Sequence, residues 1–87
     1  MTITQLKYCI AVAEHRNFTT AAEYVHVTQP TLSMQIQKLE QELNLTIFDR
    51  AQKPIALTAI GKKIIDQAKN DSKNRNTLFS LYVHNVY

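Results

Sequence analysis

The feature that most constrains this chain is a three-residue break, residues 26–28, between a very short helix and a longer one. Thr20 and Glu23 have the spacing of a capping box, so the short helix is predicted to start at Thr19 or Thr20. It is predicted to end at Val25, after barely two turns. Two helices joined by so short a connection must pack closely against each other.

The longer helix is predicted over residues 29–43. Thr28 is expected to cap it, and Pro30 lies in its first turn, where a missing amide costs little. Its apolar residues recur at spacings of four, three and four, as Leu32, Ile36, Leu39 and Leu43. Such a stripe buries one face and leaves the opposite face exposed, and Asn44 is expected to end the helix.

The two helices and their break meet the demands of a helix-turn-helix. Ala21 and Ala22 are small enough for a close helix crossing, and His26 belongs to the residue types that tolerate a left-handed backbone in the turn. A helical pair that serves only packing would show the same features. On spacing alone, DNA binding and plain packing therefore both remain open.

The face opposite the apolar stripe carries side chains suited to the edges of DNA bases. Glutamine can bond adenine through two hydrogen bonds, serine and threonine can serve bases or phosphates, and methionine can contact a thymine methyl group. The residues predicted to contact duplex DNA from this helix are Thr28, Gln29, Pro30, Thr31, Ser33, Met34, Gln37 and Lys38.

A small hairpin with a basic tip is predicted next. Residues 45–48 and 55–57 favour β-structure, and the polar, proline-containing residues 49–54 lie between them. Arg50 and Lys53 are the candidates for contact with an adjacent groove or the DNA backbone, Arg50 with a narrow minor groove. The alternative is a hairpin tip that is merely solvated.

Two more helices flank this motif. The first is predicted to start with a capping box between Thr2 and Gln5 and to end at Asn17 in a left-handed conformation. The last starts after Thr58, and Gly61 is expected to allow a close approach of this helix to the rest of the domain. One short helix cannot hide all of its apolar residues, so a homodimer seam is predicted at Ile60, Ile64, Ile65 and Ala68.

Segments from the second, third and fourth predicted helices and from the hairpin resemble one family. They read FTTAAE at residues 18–23, HVTQPTLS at 26–33, IQKLE at 36–40, FDR at 48–50 and LTAIG at 57–61. They are similar to the N-terminal domain of LysR-type transcriptional regulators over roughly residues 1–70. AEHRNF at 13–18 and QPTLS at 29–33 are most similar to the peroxide-sensing members.

The resemblance implies a mainly α winged helix-turn-helix with a three-helix core, a small β-hairpin wing and a fourth, dimerising linker helix. It places residues 29–31 and 33 at the groove contact and residues 50 and 53 on the wing. Met34 and Gln37 replace residues that are often basic in the family. The groove helix is therefore expected to contribute little to the salt dependence of binding.

The resemblance also divides the chain. Residues 1–58 are expected to form the DNA-binding domain, residues 59–70 the linker helix, and residues 71–87 an atypical tail. The larger effector-binding domain of the family, and with it any small-molecule effector site, is expected to be absent. A helical protein-interaction module, or a truncated regulator that dimerises with full-length subunits, is the alternative function.

The charge is unevenly distributed, and other functions find little support. The net charge of +3 divides into −1 for residues 1–43 and +4 for residues 44–87. Cys9 lies on an apolar stripe, where a thiol packs as a small hydrophobic group, and the three histidines share no metal-ligand spacing. We expect no enzyme, cofactor, metal or membrane span, and a single cysteine favours the reducing cytoplasm.

Overall fold

The structure, a computed structural model, describes residues 1–73. The elements are α1 Ile3–His15, α2 Phe18–Tyr24, α3 Gln29–Leu43, β1 Phe48–Asp49, β2 Ala56–Leu57 and α4 Ala59–Lys73. The predicted mainly helical winged helix-turn-helix is confirmed. α4 continues three residues beyond its predicted end at residue 70, and residues 74–87 of the predicted tail lie outside the described residues.

Most helix ends follow their predicted caps. Thr2 and Gln5 form the reciprocal capping box, with both N···O distances at 3.0 Å. Thr28 caps α3, and Asn44 ends it in the left-handed region at φ 55°. His26 also takes a positive φ of 61° in the turn, as predicted.

The junction between α1 and α2 differs from the prediction. Arg16, not Asn17, takes the left-handed conformation, at φ 54°. Asn17 instead caps α2, and its Oδ1 accepts a hydrogen bond from the Thr20 amide at 2.8 Å. α2 therefore begins at Phe18, earlier than the predicted start. The reason is that this start turns the Phe18 ring into the core, where only 8% of the residue remains exposed.

The core lies where α1, α2 and α3 meet and is closed by the wing and α4. Ala21 and Ala22 are buried at the helix-turn-helix crossing. The largest fully buried side chains come from four different elements and the loop before β1: Phe48, Leu32, Ile36, Leu39, Ile47, Ile65, Val12 and Cys9. Truncating one of the large aliphatic members to alanine typically costs about 2–5 kcal/mol.

The hairpin is shorter than predicted. Phe48 pairs with Leu57 and Asp49 with Ala56 in an antiparallel register. Residues 45–47 stay outside the ladder although their composition favours a strand. Part of the reason is that the amides of Ile47 and Phe48 both donate to the Glu40 carboxylate, at 2.7 and 3.2 Å.

At Gly61, α4 approaches the rest of the domain closely, as the sequence predicts. A Cβ at this position would lie 2.2 Å from the carbonyl oxygen of Ile47. That same oxygen accepts the amide of Thr58 at 2.9 Å, which fixes the start of α4 against the wing. Within residues 1–73, no helix has the length and apolar character needed to cross a membrane.

Candidate nucleic-acid interface

The N-terminal end of α3 is held rigidly by its cap. The Thr28 hydroxyl accepts from the Thr31 amide at 3.3 Å and donates to the Thr31 hydroxyl at 2.8 Å. Pro30 occupies the first turn, so its missing amide leaves no intrahelical bond unmade. Much of the hydrogen-bonding capacity of the two threonines is therefore already used at the helix end.

The predicted groove-contacting face of α3 lies on the surface. Leu32, Ile36 and Leu39 on the opposite side are fully buried, and this burial fixes which way the helix faces. Ser33 is half-buried. The exposed members of the predicted set on α3 and its cap are Thr28, Gln29, Pro30, Thr31, Met34, Gln37 and Lys38.

Several of these side chains are free to bind. Among the side chains of residues 1–69, those of Gln29, Ser33, Gln37 and Lys38 take part in no hydrogen bond or ion pair. Met34 is 51% exposed, which is unusual for a large apolar residue. This face therefore offers amide, hydroxyl and thioether groups with a single cation, which suits contact with base edges better than attachment to phosphates.

The wing places its two predicted basic residues differently. Lys53 is exposed in the turn between the strands, as expected for a residue that reaches outward. Arg50 does not point freely from the tip. Its Nη1 donates to Glu40 Oε1 at 3.2 Å, and its guanidinium lies over the Phe18 ring, 5.1 Å from the centroid.

Arg50 is therefore part of the wing's attachment to α3. Its side chain is 34% exposed and that of Glu40 only 11%. A guanidinium that is stacked on a ring and paired with a shielded carboxylate is poorly placed to enter a minor groove without breaking both contacts. The expected contact of Arg50 with a minor groove stays a prediction, and it would require the guanidinium to leave Glu40 and Phe18.

Sequence reasoning missed two residues of this region, Glu40 and Arg16. Glu40 accepts hydrogen bonds from Ile47, Phe48 and Arg50, so one carboxylate joins α3 to the wing. Arg16 donates through Nε to the carbonyl oxygen of Ile55 at 3.2 Å, which joins the end of α1 to the wing. The bonds to Glu40 span seven to ten residues along the chain and the Arg16 bond spans 39, and no local spacing rule indicates them.

The predicted seam on α4 is only partly on the surface. Ile65 and Ala68 are 1% and 5% exposed and belong to the core of the single chain. Their place in a dimer seam stays a prediction, although both side chains are already buried within the single chain. Ile60 is 44% exposed and Ile64 half-buried, so these two remain accessible.

Ile60 and Ile64 border an apolar groove between α4 and the chain's N-terminal end. Its volume is about 400 Å³. The aliphatic groups that line it come from the residue at the start of the chain, three helices and the loop after α3: Met1, Leu6, Leu43, Leu45, Ile60, Ile64 and Ala68, with Lys63 and Gln67 at the polar side.

Cys9 is buried in the core, as predicted from its place on the α1 stripe. Burial, reinforced by the negative charge of Glu40, raises the pKa of its thiol to about 12. The thiol is therefore protonated at neutral pH and unreactive. No group of three metal-ligating side chains is found among the described side chains of residues 1–69.

Comparison with known proteins agrees with this geometry. A family model described as "Bacterial regulatory helix-turn-helix protein, lysR family" matches residues 3–62, which contain the helix-turn-helix, the wing and the start of α4. The chain is 46% identical over 69 residues to the DNA-binding transcriptional dual regulator OxyR of Escherichia coli K12. That alignment covers 79% of this chain and 23% of OxyR.

A second relative is equally similar. The HTH-type transcriptional regulator TfdT of Cupriavidus pinatubonensis is also 46% identical over 69 residues, covering 79% of this chain and 30% of TfdT. Identity alone therefore does not single out the peroxide-sensing members. The chain spans less than a third of the length of these two relatives, which are transcriptional regulators and not enzymes.

Solved structures give the same assignment. The BenM DNA-binding domain in complex with catB site 1 DNA superposes with a TM-score of 0.83 at 35% identity, covering 92% of this chain and 86% of that one. The complex of the CbnR DNA-binding domain with DNA gives a TM-score of 0.79 at 33% identity, with full coverage of both chains. The chain thus belongs to the LysR family of bacterial regulatory helix-turn-helix proteins, and its residues 3–62 form the helix-turn-helix domain of that family.

Proposed function

We propose that this domain binds duplex DNA sequence-selectively, with the exposed face of α3 in the major groove and the wing against the neighbouring backbone. The observation that carries the proposal is the free polar face of α3 at its capped N-terminal end. Gln29 and Ser33 are the proposed base-reading residues, and Met34 the proposed apolar contact. Lys38 and Lys53 are the proposed phosphate contacts.

The fold similarity supports this orientation. The BenM and CbnR domains that superpose on this chain were solved bound to DNA. Duplex DNA as the partner implies that the protein works in the cytoplasm of the bacterial cell. A helical protein-interaction module is not favoured, because the matched family consists of regulatory helix-turn-helix proteins.

Selection of a preferred duplex from a random pool, followed by affinity measurement, tests the base-reading role. Gln29→Ala should reduce the preference for the selected duplex over random duplex by about 1–3 kcal/mol. Gln41→Ala is the matched control, since Gln41 is exposed on the same helix roughly 18 Å from Gln29. Unchanged selectivity in Gln29→Ala, or an equal loss in Gln41→Ala, would contradict this placement of α3.

We further propose that the domain forms a homodimer through α4, with Ile60 and Ile64 at the seam. An accessible isoleucine pair beside an apolar groove is an unfavourable surface for an isolated monomer. Covering it with the same surface of a second copy produces a two-fold dimer. Such a dimer would recognise two half-sites on one side of the duplex.

Sedimentation of the unmodified chain and two variants tests the seam. The unmodified chain should sediment as a dimer at micromolar concentration, and Ile60→Glu should be monomeric because it places a charge in the apolar contact. Lys62→Gln is the control on the same helix, since Lys62 is exposed and pairs only with Asp66 at 3.7 Å. A dimer in Ile60→Glu, or a monomer in the unmodified chain, would contradict the proposal.

A further inference from the structure

A small basic pocket lies between the α1–α2 turn and the wing. Its volume is about 200 Å³. Three of its six lining residues are cationic and none is acidic: the set is Arg16, Asn17, Arg50, Lys53, Pro54 and Ile55. Such a concentration of like charge in one concave site favours an anionic ligand.

Arg16 is positioned for such a ligand by the fold. Its left-handed backbone turns the chain at the end of α1, and its Nε donates to the carbonyl oxygen of Ile55 at 3.2 Å. Within the part of the chain whose side chains are described, residues 1–69, no hydrogen bond or ion pair engages the two terminal nitrogens of this guanidinium. A guanidinium held at Nε and free at its terminal nitrogens presents a fork that matches the oxygens of a phosphate.

The charge in the pocket is only partly neutralised from within the chain. Arg50 is paired with Glu40. The other two cations of the pocket, Arg16 and Lys53, have no carboxylate partner in the described part of the chain. Both side chains belong to exposed residues, and both reach the same pocket from different elements. Two unneutralised charges from separate elements suit one oxyanion held between them.

We propose that Arg16 and Lys53 together bind one phosphate of the DNA backbone in this pocket. The inference rests on the proposed DNA binding and extends it to a residue outside both the helix-turn-helix and the wing. The contact is independent of sequence, because a phosphate has the same oxygens at every base pair. It anchors the domain on the duplex at the side where α1 meets the wing.

Salt dependence of binding is the first test. Arg16→Gln should weaken binding to selected and random duplex by the same factor and reduce the slope of log K against log salt by about 0.9. Lys7→Gln is the matched control, because Lys7 is an exposed cation on α1, the helix that Arg16 follows, and lines a different surface depression, beside Tyr24. Its slope should equal that of the unmodified chain.

Arg16→Lys separates binding from folding, since the Arg16 side chain also bonds Ile55. It keeps the charge but loses the bond from Nε, so it should keep most of the slope while sharing any loss of thermal stability with Arg16→Gln. An Arg16→Gln variant with an unchanged slope would overturn the proposal. So would an equal loss of slope in Lys7→Gln.

Neutralising single phosphates in the selected duplex locates the contact. Replacing one phosphate by methylphosphonate should abolish the effect of Arg16→Gln at one position per half-site and leave it intact elsewhere. Lys53→Gln should lose its effect at the same position. If no position removes the effect while inorganic phosphate shifts the Arg16 Nε–H resonance, the pocket takes free phosphate and the backbone contact is wrong.

The same measurements distinguish a failure of this inference from a failure of the proposed function. If the unmodified chain binds no duplex at low salt, the proposed function fails, and this inference fails with it. If Gln29→Ala loses selectivity while Arg16→Gln behaves like the unmodified chain, the proposed function stands and only the phosphate site is overturned.

Discussion

The exposed face of α3 and the wing differ in the chemistry they offer to a partner. Among the exposed predicted contact residues of α3 and its cap, Lys38 is the single cation, whereas the pocket at the wing is lined by Arg16, Arg50 and Lys53. Base edges are recognised by neutral donors, acceptors and methyl groups, and phosphates by cations. The difference indicates that choice of sequence and attachment to the backbone belong to different elements.

The two regions are nevertheless joined by one side chain. Glu40 of α3 accepts from Ile47, Phe48 and Arg50, so the wing cannot shift without breaking bonds to the helix that precedes it. The Glu40 side chain is 11% exposed, and its bonds from the Ile47 and Phe48 amides are buried and therefore shielded from water. Glu40 and the three groups that donate to it therefore form a joint between α3 and the wing.

Glu40→Ala should have the largest effect. It leaves two buried amides without acceptors and removes the partner of Arg50, so the free energy of unfolding should fall by about 3 kcal/mol. Denaturant unfolding measures this loss. Glu23→Ala is the control, because Glu23 is an exposed glutamate on α2, and it should change stability by less than about 0.5 kcal/mol. Similar stability in the two variants would show that the Glu40 joint contributes little.

Gly61→Ala should act at the other end of the wing. The added Cβ would meet the Ile47 carbonyl, which is backbone and cannot rotate away. The free energy of unfolding should fall by about 2 kcal/mol, as for overpacked sites in general. Ala59→Gly is the control, since it alters the exposed first residue of α4 without a clash. A Gly61→Ala variant as stable as the parent would contradict the close approach.

Met34→Arg should sharpen the comparison by adding a second cation to the exposed α3 face, where Lys38 is the only one among the predicted contact residues. Met34 is 51% exposed, so stability should hardly change. One new phosphate contact should steepen the salt slope by about 0.9, which corresponds to an extra loss of affinity of about 3.5-fold between 50 and 200 mM salt. Fluorescence titration at several salt concentrations measures it. An unchanged slope would indicate that this face lies away from the backbone.

Ionisation of the buried Cys9 thiol should have little effect on the free energy of unfolding at neutral pH. The thiol pKa is raised to about 12, from a value near 9 in the unfolded chain, so its contribution to stability is complete below pH 9. That contribution is lost as the pH rises towards 12. The unfolding free energy should therefore fall more steeply with pH above 9 than in Cys9→Ala, and parallel curves would contradict this. Alkylation of the native chain at pH 7 should be slow.

Much of the fold could be predicted because its signals are local. The capping box at Thr2, the cap at Thr28 and the left-handed turn at His26 each depend on residues within a few positions of one another. The exposed face of α3 followed in the same way from the periodic burial of Leu32, Ile36 and Leu39. The first turn of α2 was less predictable, because three neighbouring residues are all good caps and the burial of Phe18 decided between them.

The sequence by itself determined the helix-turn-helix, the direction in which α3 faces and the concentration of positive charge in the second half of the chain. Only the tertiary structure decided how each charge and each apolar side chain is used. Arg50 pairs with Glu40, Arg16 reaches the wing, and Ile65 lies within the core while Ile60 stays exposed. The physical reason is that helix periodicity is written in residues three or four apart, whereas these contacts join residues that become neighbours only when the elements pack.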